Sequence, residues 1–474
     1  MLNFTRGTYV KSLCSRAYDL VQQSPQHARE EILPIVDRHL ARISRNSGGY
    51  WGMTKSDWLY SEKLKLVKSF LEKGTADDLL ALAESIAAET WDKVKIVFLA
   101  QEPYCWASFD SLYRTMLKDP RFDPQIVYVP MAHVNQSKMD FLAVYRNEMG
   151  LPVLYFDEYA LADESPDIAM FMKAYDNIPP QFYIENIRKA VPRSMYIQYG
   201  LEVGTEYIDY HFRLPLGYHA WRHIAYGRLL KENAAKYGYR NGSNVYVWGN
   251  PRADYYGNLD AERKNISTEW TRRINGRFCF LWTPHHTVDT SCGSFLDYKD
   301  TVISYFENTK EVFLIWRPHP MLLSNLLTSG VMMEDERDSL VSRVSGMDNV
   351  ILDTTPDYRQ SFFASDAIVA DASTFVFEYL YTGRPVIYTK KLENAIYNSE
   401  RFERGVYVIA KADDVALTLG LVAGGEDPLK NERSALKKDL LFTPESGTVG
   451  QYIADNCYAD LIREMTALEE NTNV

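Results

Sequence analysis

The chain has 474 residues, which suggests about two to four domains. Apolar residues make up 46% and charged residues 24%, the balance of a globular protein with more than one core. A formal net charge of -11 excludes nucleic-acid binding driven by overall charge, but a local basic site for an anionic small molecule remains compatible with it.

Five cysteines (Cys14, Cys105, Cys279, Cys292, Cys457) are scattered without a CxxC pair. That spacing argues against a disulfide framework and a structural zinc, and fits a reduced cytoplasmic compartment. No secretory signal and no membrane-spanning segment is expected, because the first residues lack an apolar stretch and no run reaches about 18 apolar residues. The 33 tyrosines fit a Tyr-rich core better than an aromatic binding face.

Residues 1–92 read as a helical extension. "SEKLKLVKSFLEK" and "ADDLLALAESIAAETWDK" repeat apolar residues every three or four positions, with Gly74-Thr75 as stop and start. Lys55, Lys63, Lys65 and Lys68 interleave with Trp51, Trp58 and Tyr60, which suits either a solvated helix or one lying on an anionic surface. From "VKIVFLA" onward the pattern changes to short apolar runs separated by helical stretches: "QIVYVP", "LPVLYF", "DIAMFM", "SMYIQYG", "NVYVWGNP". "SKMDFLAVYRNEMG" and "WRHIAYGRLLKENAAKYG" read as two of the helices. This alternation predicts a parallel α/β domain over 93–260. After the polar helical stretch "NLDAERKNISTEWTRRINGR", a second such domain follows over 261–445, with runs "FCFLWTP", "VFLIWRPHP", "NVILD", "DAIVAD", "PVIYT" and "GVYVIA". Residues 446–474 form a last helix that packs back across the interface. Two doubly wound domains face a cleft, and ligands bind beyond the carboxyl ends of the strands.

The polar residues at those strand ends are the candidates for chemistry. In "RPHP", prolines stiffen the backbone around His319, and Arg317 offers a planar fork beside it. That pair suits a phosphoryl group, or else a stiff loop whose histidine caps carbonyls. In "ADAST", Asp371, Ser373 and Thr374 fill the gap between a buried strand and a helix start. They form either a phosphate cradle or an ordinary helix cap, with Glu378 one turn further on, placed for a ribose hydroxyl. "GNPRAD" brings Asn250 and Arg252, the latter for a carboxylate or phosphate, while Asp254 holds its loop. "WTPHH" brings Thr283, His285 and His286, and adjacent histidines on a strand would diverge, so no joint metal site is expected. "QYGLEVG" offers two glycines for close backbone approach, with Glu202 between them and His211 and His219 downstream as candidate bases.

In this order, "QYG", "GNPRAD", "WTP", "RPHP" and "SDAIVADAST…E…GRPVIY" resemble the CDP-glycerol glycerophosphotransferase family, the teichoic-acid primase and polymerase group. The resemblance spans roughly 94–440, is strongest from Gly249, and leaves the helical extension unexplained. It implies the GT-B architecture, an acceptor side in the first domain and a donor nucleotide side in the second. It implies catalysis by His319 and Arg317 and donor binding by Ser373, Thr374, Asp371, Glu378, Arg252, Asn250 and Thr283, while Glu202, His211 and His219 are the nearest candidates for a base. Two departures stand out: Ala372 replaces a tyrosine of the family's phosphate-binding block, and the family's "HGT" histidine is absent, the matching place reading Gln198-Tyr199-Gly200. The implied reaction moves a polyol phosphate from a CDP-linked donor to a hydroxyl of a glycan or lipid-linked acceptor. It releases CMP, with no metal or cofactor expected, in the cytoplasm or at the inner membrane face. Two other classes fit the same pattern: a GT-B glycosyltransferase using a nucleotide sugar in surface polysaccharide synthesis, and a non-catalytic subunit of a capsule or wall assembly.

Overall fold

The computed structural model describes residues 2–467 except 49–52, 132–137, 202–208, 289–292, 356, 392–395 and 397–398. Helices α1 (Phe4–Gln23), α2 (Pro25–Asn46), α3 (Lys55–Lys73) and α4 (Ala76–Glu89) pack around their own core, which includes Leu13, Val36, Leu64, Val67, Leu79 and Ile86. Side-chain hydroxyls set the starts. Thr54 and Thr75 each exchange hydrogen bonds with the aspartate three residues on, Asp57 and Asp78. The lysines of α3 are used on neighbours. Lys63 pairs with Glu89 at 2.6 Å, Lys68 with Asp37 at 2.7 Å and Lys65 with Glu62 at 2.8 Å. Tyr60 is buried, Trp58 is exposed, and Trp51 lies outside the described residues. The basic face suggested for a membrane surface is therefore largely neutralised by carboxylates.

The first sheet has seven parallel strands: β1 (Val94–Ala100), β2 (Phe122–Tyr128), β3 (Val153–Tyr155), β4 (Ile168–Phe171), β5 (Arg193–Ile197), β6 (Arg222–Ala225) and β7 (Val245–Val247). Their order is β3-β2-β1-β4-β5-β6-β7. The second has six: β8 (Phe278–Thr283), β9 (Val312–Trp316), β10 (Val350–Leu352), β11 (Ala367–Ala370), β12 (Val386–Thr389) and β13 (Tyr407–Ile409), ordered β10-β9-β8-β11-β12-β13. Both are doubly wound, and both reverse winding between their first and fourth strands, which puts a crevice at the carboxyl ends of β1 and β4 and of β8 and β11. This is the GT-B arrangement expected from the sequence.

One stretch differs from its reading. "WRHIAYGRLLKENAAKYG" was expected to be wholly helical, but its first part is β6, and the helix is only Arg228–Tyr237. Arg222 and His223 disguise the strand: Arg222 reaches out to Asp460 and Glu464, while His223 is fully buried with both ring nitrogens unpartnered among the described residues.

The polar linker forms helices Leu259–Lys264 and Thr268–Ile274, and Arg263 ties it to Asp366 at 2.5 Å. The chain then recrosses. Phe442 N–H donates to the Tyr226 carbonyl at 2.8 Å. The last helix, Val449–Ala467, lies on the first sheet, with Tyr458 against Phe122 and Asp460 on Arg222. Asp254 accepts the Val449 and Gly450 N–H groups at 2.7 and 2.9 Å. One apolar core runs from β1 and β5 through to β11 and β12, so the two sheets share a buried boundary. The described cysteines, Cys14, Cys105, Cys279 and Cys457, are buried free thiols. No helix of the described residues is long and apolar enough to cross a membrane.

Candidate active site

The residues after β8, β9 and β11 converge. Asp371, fully buried just past β11, accepts the His285 N–H with both oxygens at 3.0 Å and the Ser294 N–H at 3.0 Å. One carboxylate thus spans the crevice between β8 and β11. Burial pushes its pKa up to about 6, against the opposing pull of those N–H donors.

His319 follows β9. The Met321 N–H donates to its Nδ1 at 3.2 Å, and the His319 N–H donates to the Pro284 carbonyl at 3.2 Å. Burial, and then the neighbouring His286, hold the ring pKa down at about 4. The ring is therefore neutral near pH 7 with its proton on Nε2, a hydrogen-bond donor of fixed direction. Its centroid lies 4.6 Å from that of His286 and 5.8 Å from that of His285. The two adjacent histidines were expected to diverge as they would on a strand. They lie past the end of β8, in a turn, and their rings sit 4.2 Å apart. No group of three or more His, Cys, Asp or Glu suited to a metal occurs among the described residues.

Two hydroxyls complete this half. Ser373 is the residue before helix Thr374–Tyr379, yet its side chain makes no capping hydrogen bond. Its Oγ is buried without a partner among the described residues, as is the Oγ1 of Thr283 at the end of β8. A buried hydroxyl left unmatched costs about 1–3 kcal/mol. The ordinary helix-cap reading of Ser373 fails on this observation.

Other expected donor ligands are committed elsewhere. Arg317 turns its fork away: Nη1 bonds Asp353 at 2.5 Å and Nη2 the Thr355 carbonyl at 2.6 Å, so it braces β9 against β10. Arg252 is buried and reaches across the domain boundary to Glu378 at 2.6 Å and the Tyr358 hydroxyl at 2.6 Å, with further bonds to Ser108 and the Tyr199 carbonyl. Glu378 also accepts from Tyr256 at 2.7 Å and Tyr358 at 2.5 Å. Expected to face phosphate and ribose, these two charges instead satisfy each other, and each offsets the cost of burying the other. Asn250 donates to the Gln198 carbonyl and accepts the Arg252 N–H, which shapes the loop and leaves its amide spent.

The first-domain side approaches closely. A Cβ on Gly200 would come within 3.0 Å of Thr374 Cγ2, so this turn seats close against the second domain. Of the candidate bases, Glu202 lies outside the described residues. His211 is buried in an aromatic nest with Tyr175 and the Tyr196 hydroxyl, 2.9 Å from its Nδ1. His219 sits before β6, at the opposite end of the sheet, 2.6 Å from Arg188. Sequence reasoning missed a pair. Glu102, just past β1, and Lys173, just past β4, are both buried and bond at 2.5 Å, spanning the first sheet's crevice as Asp371 spans the second's. Lys173 Nζ lies 4.9 Å from the centre of the Tyr199 ring, one residue from the Gly200 contact. "LAQEP" carried the only available signal, a carboxylate directly after a buried strand.

Residues 230–411, less than half of the chain, match the family model described as CDP-Glycerol:Poly(glycerophosphate) glycerophosphotransferase. That range holds His319, Thr283, Asp371, Ser373 and Thr374. No curated protein matches the chain. Among solved structures, a UDP-N-acetylglucosamine 2-epimerase is similar with 14% identity and a TM-score of 0.54, over 80% of this chain and 98% of that one. A putative UDP-N-acetylglucosamine 2-epimerase from Listeria monocytogenes matches with 14% identity and a TM-score of 0.54, over 81% and 100%. The wall teichoic acid polymerase TagF, in a variant soaked with CDPG, matches with 13% identity and a TM-score of 0.53, over 86% and 98%. These likenesses establish the fold.

Proposed function

We propose that this chain transfers a polyol phosphate, first of all glycerol phosphate, from a CDP-linked donor to a hydroxyl of a wall-polymer or surface-glycan precursor. The carrying observation is the pair of buried, unpartnered hydroxyls on Thr283 and Ser373, flanking the crevice beside neutral His319, within the segment that matches the glycerophosphotransferase family. The acceptor oxygen bonds to the β-phosphorus, the bond from that phosphorus to the bridging oxygen breaks, and CMP leaves with the electron pair. His319 Nε2–H and the hydroxyls of Thr283, Ser373 and Thr374 donate to phosphate oxygens as charge builds on them. Glu102 is our candidate to take the acceptor proton, in place of the family histidine absent at Gln198, and Lys173 holds it in position. A nucleotide donor puts the reaction in the cytoplasm.

The test is to supply the protein with CDP-glycerol, CDP-ribitol and UDP- or GDP-sugars, with and without a surface-glycan extract, and to identify the nucleotide released. CMP from a CDP-polyol, abolished in His319→Ala, supports the proposal. Release of a nucleoside diphosphate from a sugar donor replaces it with glycosyl transfer. Neither turnover nor nucleotide binding leaves an assembly subunit. If Glu102 is the base, Glu102→Gln lowers kcat by about 10²–10⁴-fold while donor binding persists.

A further inference from the structure

A hollow of about 830 Å³ lies on the other side of the first domain, where α1, α2 and α3 meet the amino ends of β5 and β6. Parallel strands put this hollow at the far end of the sheet from the candidate active site. Seven arginine and lysine side chains line it against two carboxylates, in a protein that is acidic overall. Both carboxylates are taken: Asp57 pairs with Arg6 at 2.5 Å, and Glu464 with Arg193 at 3.2 Å and Arg222 at 2.8 Å. Arg42, Arg45 and Lys189 make no ion pair among the described residues. Arg188 bonds the His219 ring and makes no ion pair among the described residues, although the Glu185 carboxylate, one turn back on the same helix, also acts on that ring.

These like charges come from separate elements: Arg42 and Arg45 from α2, Arg188 and Lys189 from helix Ile184–Ala190. Burial, and then Arg188, Arg193 and Arg6, depress the Arg42 pKa. Arg42 and Arg45 are themselves exposed to solvent, and like charges gathered around one hollow repel unless something anionic offsets them. Guanidinium forks match phosphate oxygens in pairs. One wall is aromatic, with Tyr9 and His39 stacked 4.8 Å apart and Trp221 beside Arg193.

We propose that this hollow is a second anion site, for a small phosphorylated ligand with at least two phosphate charges. Its volume is that of a small-molecule pocket. Four cations without an ion pair among the described residues, on two facing elements, exceed what one phosphate monoester can meet. Because the helical extension and the first sheet supply opposite walls, an occupant clamps the extension onto the domain.

The probe is inorganic pyrophosphate, titrated calorimetrically into the full chain at low salt. Binding should persist in the cleft variant His319→Ala/Ser373→Ala and weaken tenfold or more in Arg42→Ala/Lys189→Ala. Neither of these two cations has an ion pair among the described residues, so that variant should melt no lower than the parent; in the cleft-variant background, pyrophosphate should raise the melting point with Arg42 and Lys189 present and not with both replaced. Pyrophosphate binding that is unchanged in Arg42→Ala/Lys189→Ala, or absent from the cleft variant, overturns the proposal. Orthophosphate binding as tightly as pyrophosphate overturns the two-phosphate class. Binding of phosphatidylglycerol vesicles through Arg42 and Lys189, with no pyrophosphate site, would make the hollow a lipid surface instead.

Discussion

The Ser373 hydroxyl separates function from stability at one atom. It makes no hydrogen bond among the described residues, so Ser373→Ala should leave the melting temperature unchanged or slightly raised, since a desolvation cost is removed. If it receives the donor, the same change should raise the donor KM about 2- to 13-fold, the worth of one ordinary hydrogen bond of roughly 0.5–1.5 kcal/mol. A melt and a KM on one preparation decide it, and a drop in stability with unchanged KM would return Ser373 to helix capping. Buried histidines make a second test. The pKa of His223 is held down at about 3, by burial first and His211 second, below its ordinary 6.5. Between pH 6.5 and 3 the unfolded chain therefore binds a proton that the native ring refuses, and this residue's contribution to stability falls as pH falls. Asp371, raised to about 6, acts with the opposite sign. The informative quantity is thus the difference between parent and His223→Leu. The parent should lose more urea resistance between pH 7 and pH 5, by up to about 1.4 kcal/mol per pH unit.

At the level of elements, strand ends positioned the chemistry, and this is why much of the candidate site was legible. Runs such as "DAIVAD" and "VFLIW" are apolar on both faces, so a polar residue just past them lies at the crevice of a doubly wound sheet. That logic located Thr283, His319, Asp371 and Ser373. It could not say which charged groups would be used up by neighbours, because Arg252 with Glu378 and Arg317 with Asp353 lie 126 and 36 positions apart in sequence. It also missed β6, whose Arg222 is answered by a helix more than 230 residues later. The returning segment makes an element-scale prediction. Gly227 has an extended backbone, and a Cβ there would overlap the Leu440 carbonyl oxygen just where Phe442 bonds Tyr226. Gly227→Ala should cost about 1–3 kcal/mol by overpacking. Faster proteolysis within 441–448 should accompany the loss, and a variant as stable and protease-resistant as the parent would show the segment free to shift.

Within the apolar core at the domain boundary of the whole molecule sits a buried charge pair. Arg252 of the first domain and Glu378 of the second, with the Tyr256 and Tyr358 hydroxyls, form a network closed to water. Burial pushes both phenols well above the usual tyrosine range, so they remain neutral donors. Desolvation of two charges roughly cancels their attraction, so the pair as a whole contributes little net stability. Removing one member leaves the other charged and unanswered in the core. Glu378→Ala or Arg252→Ala alone should therefore destabilise by about 3–5 kcal/mol, while Arg252→Met/Glu378→Leu should recover most of the loss. Denaturant melts of the four proteins measure this. If the two single losses simply add in the double variant, the boundary is held by its apolar core and the pair is incidental. If they do not add, the pair fixes how the two sheets meet. In that case the apolar double variant should fold as stably as the parent yet transfer more slowly, because Gly200 would no longer be held against Thr374.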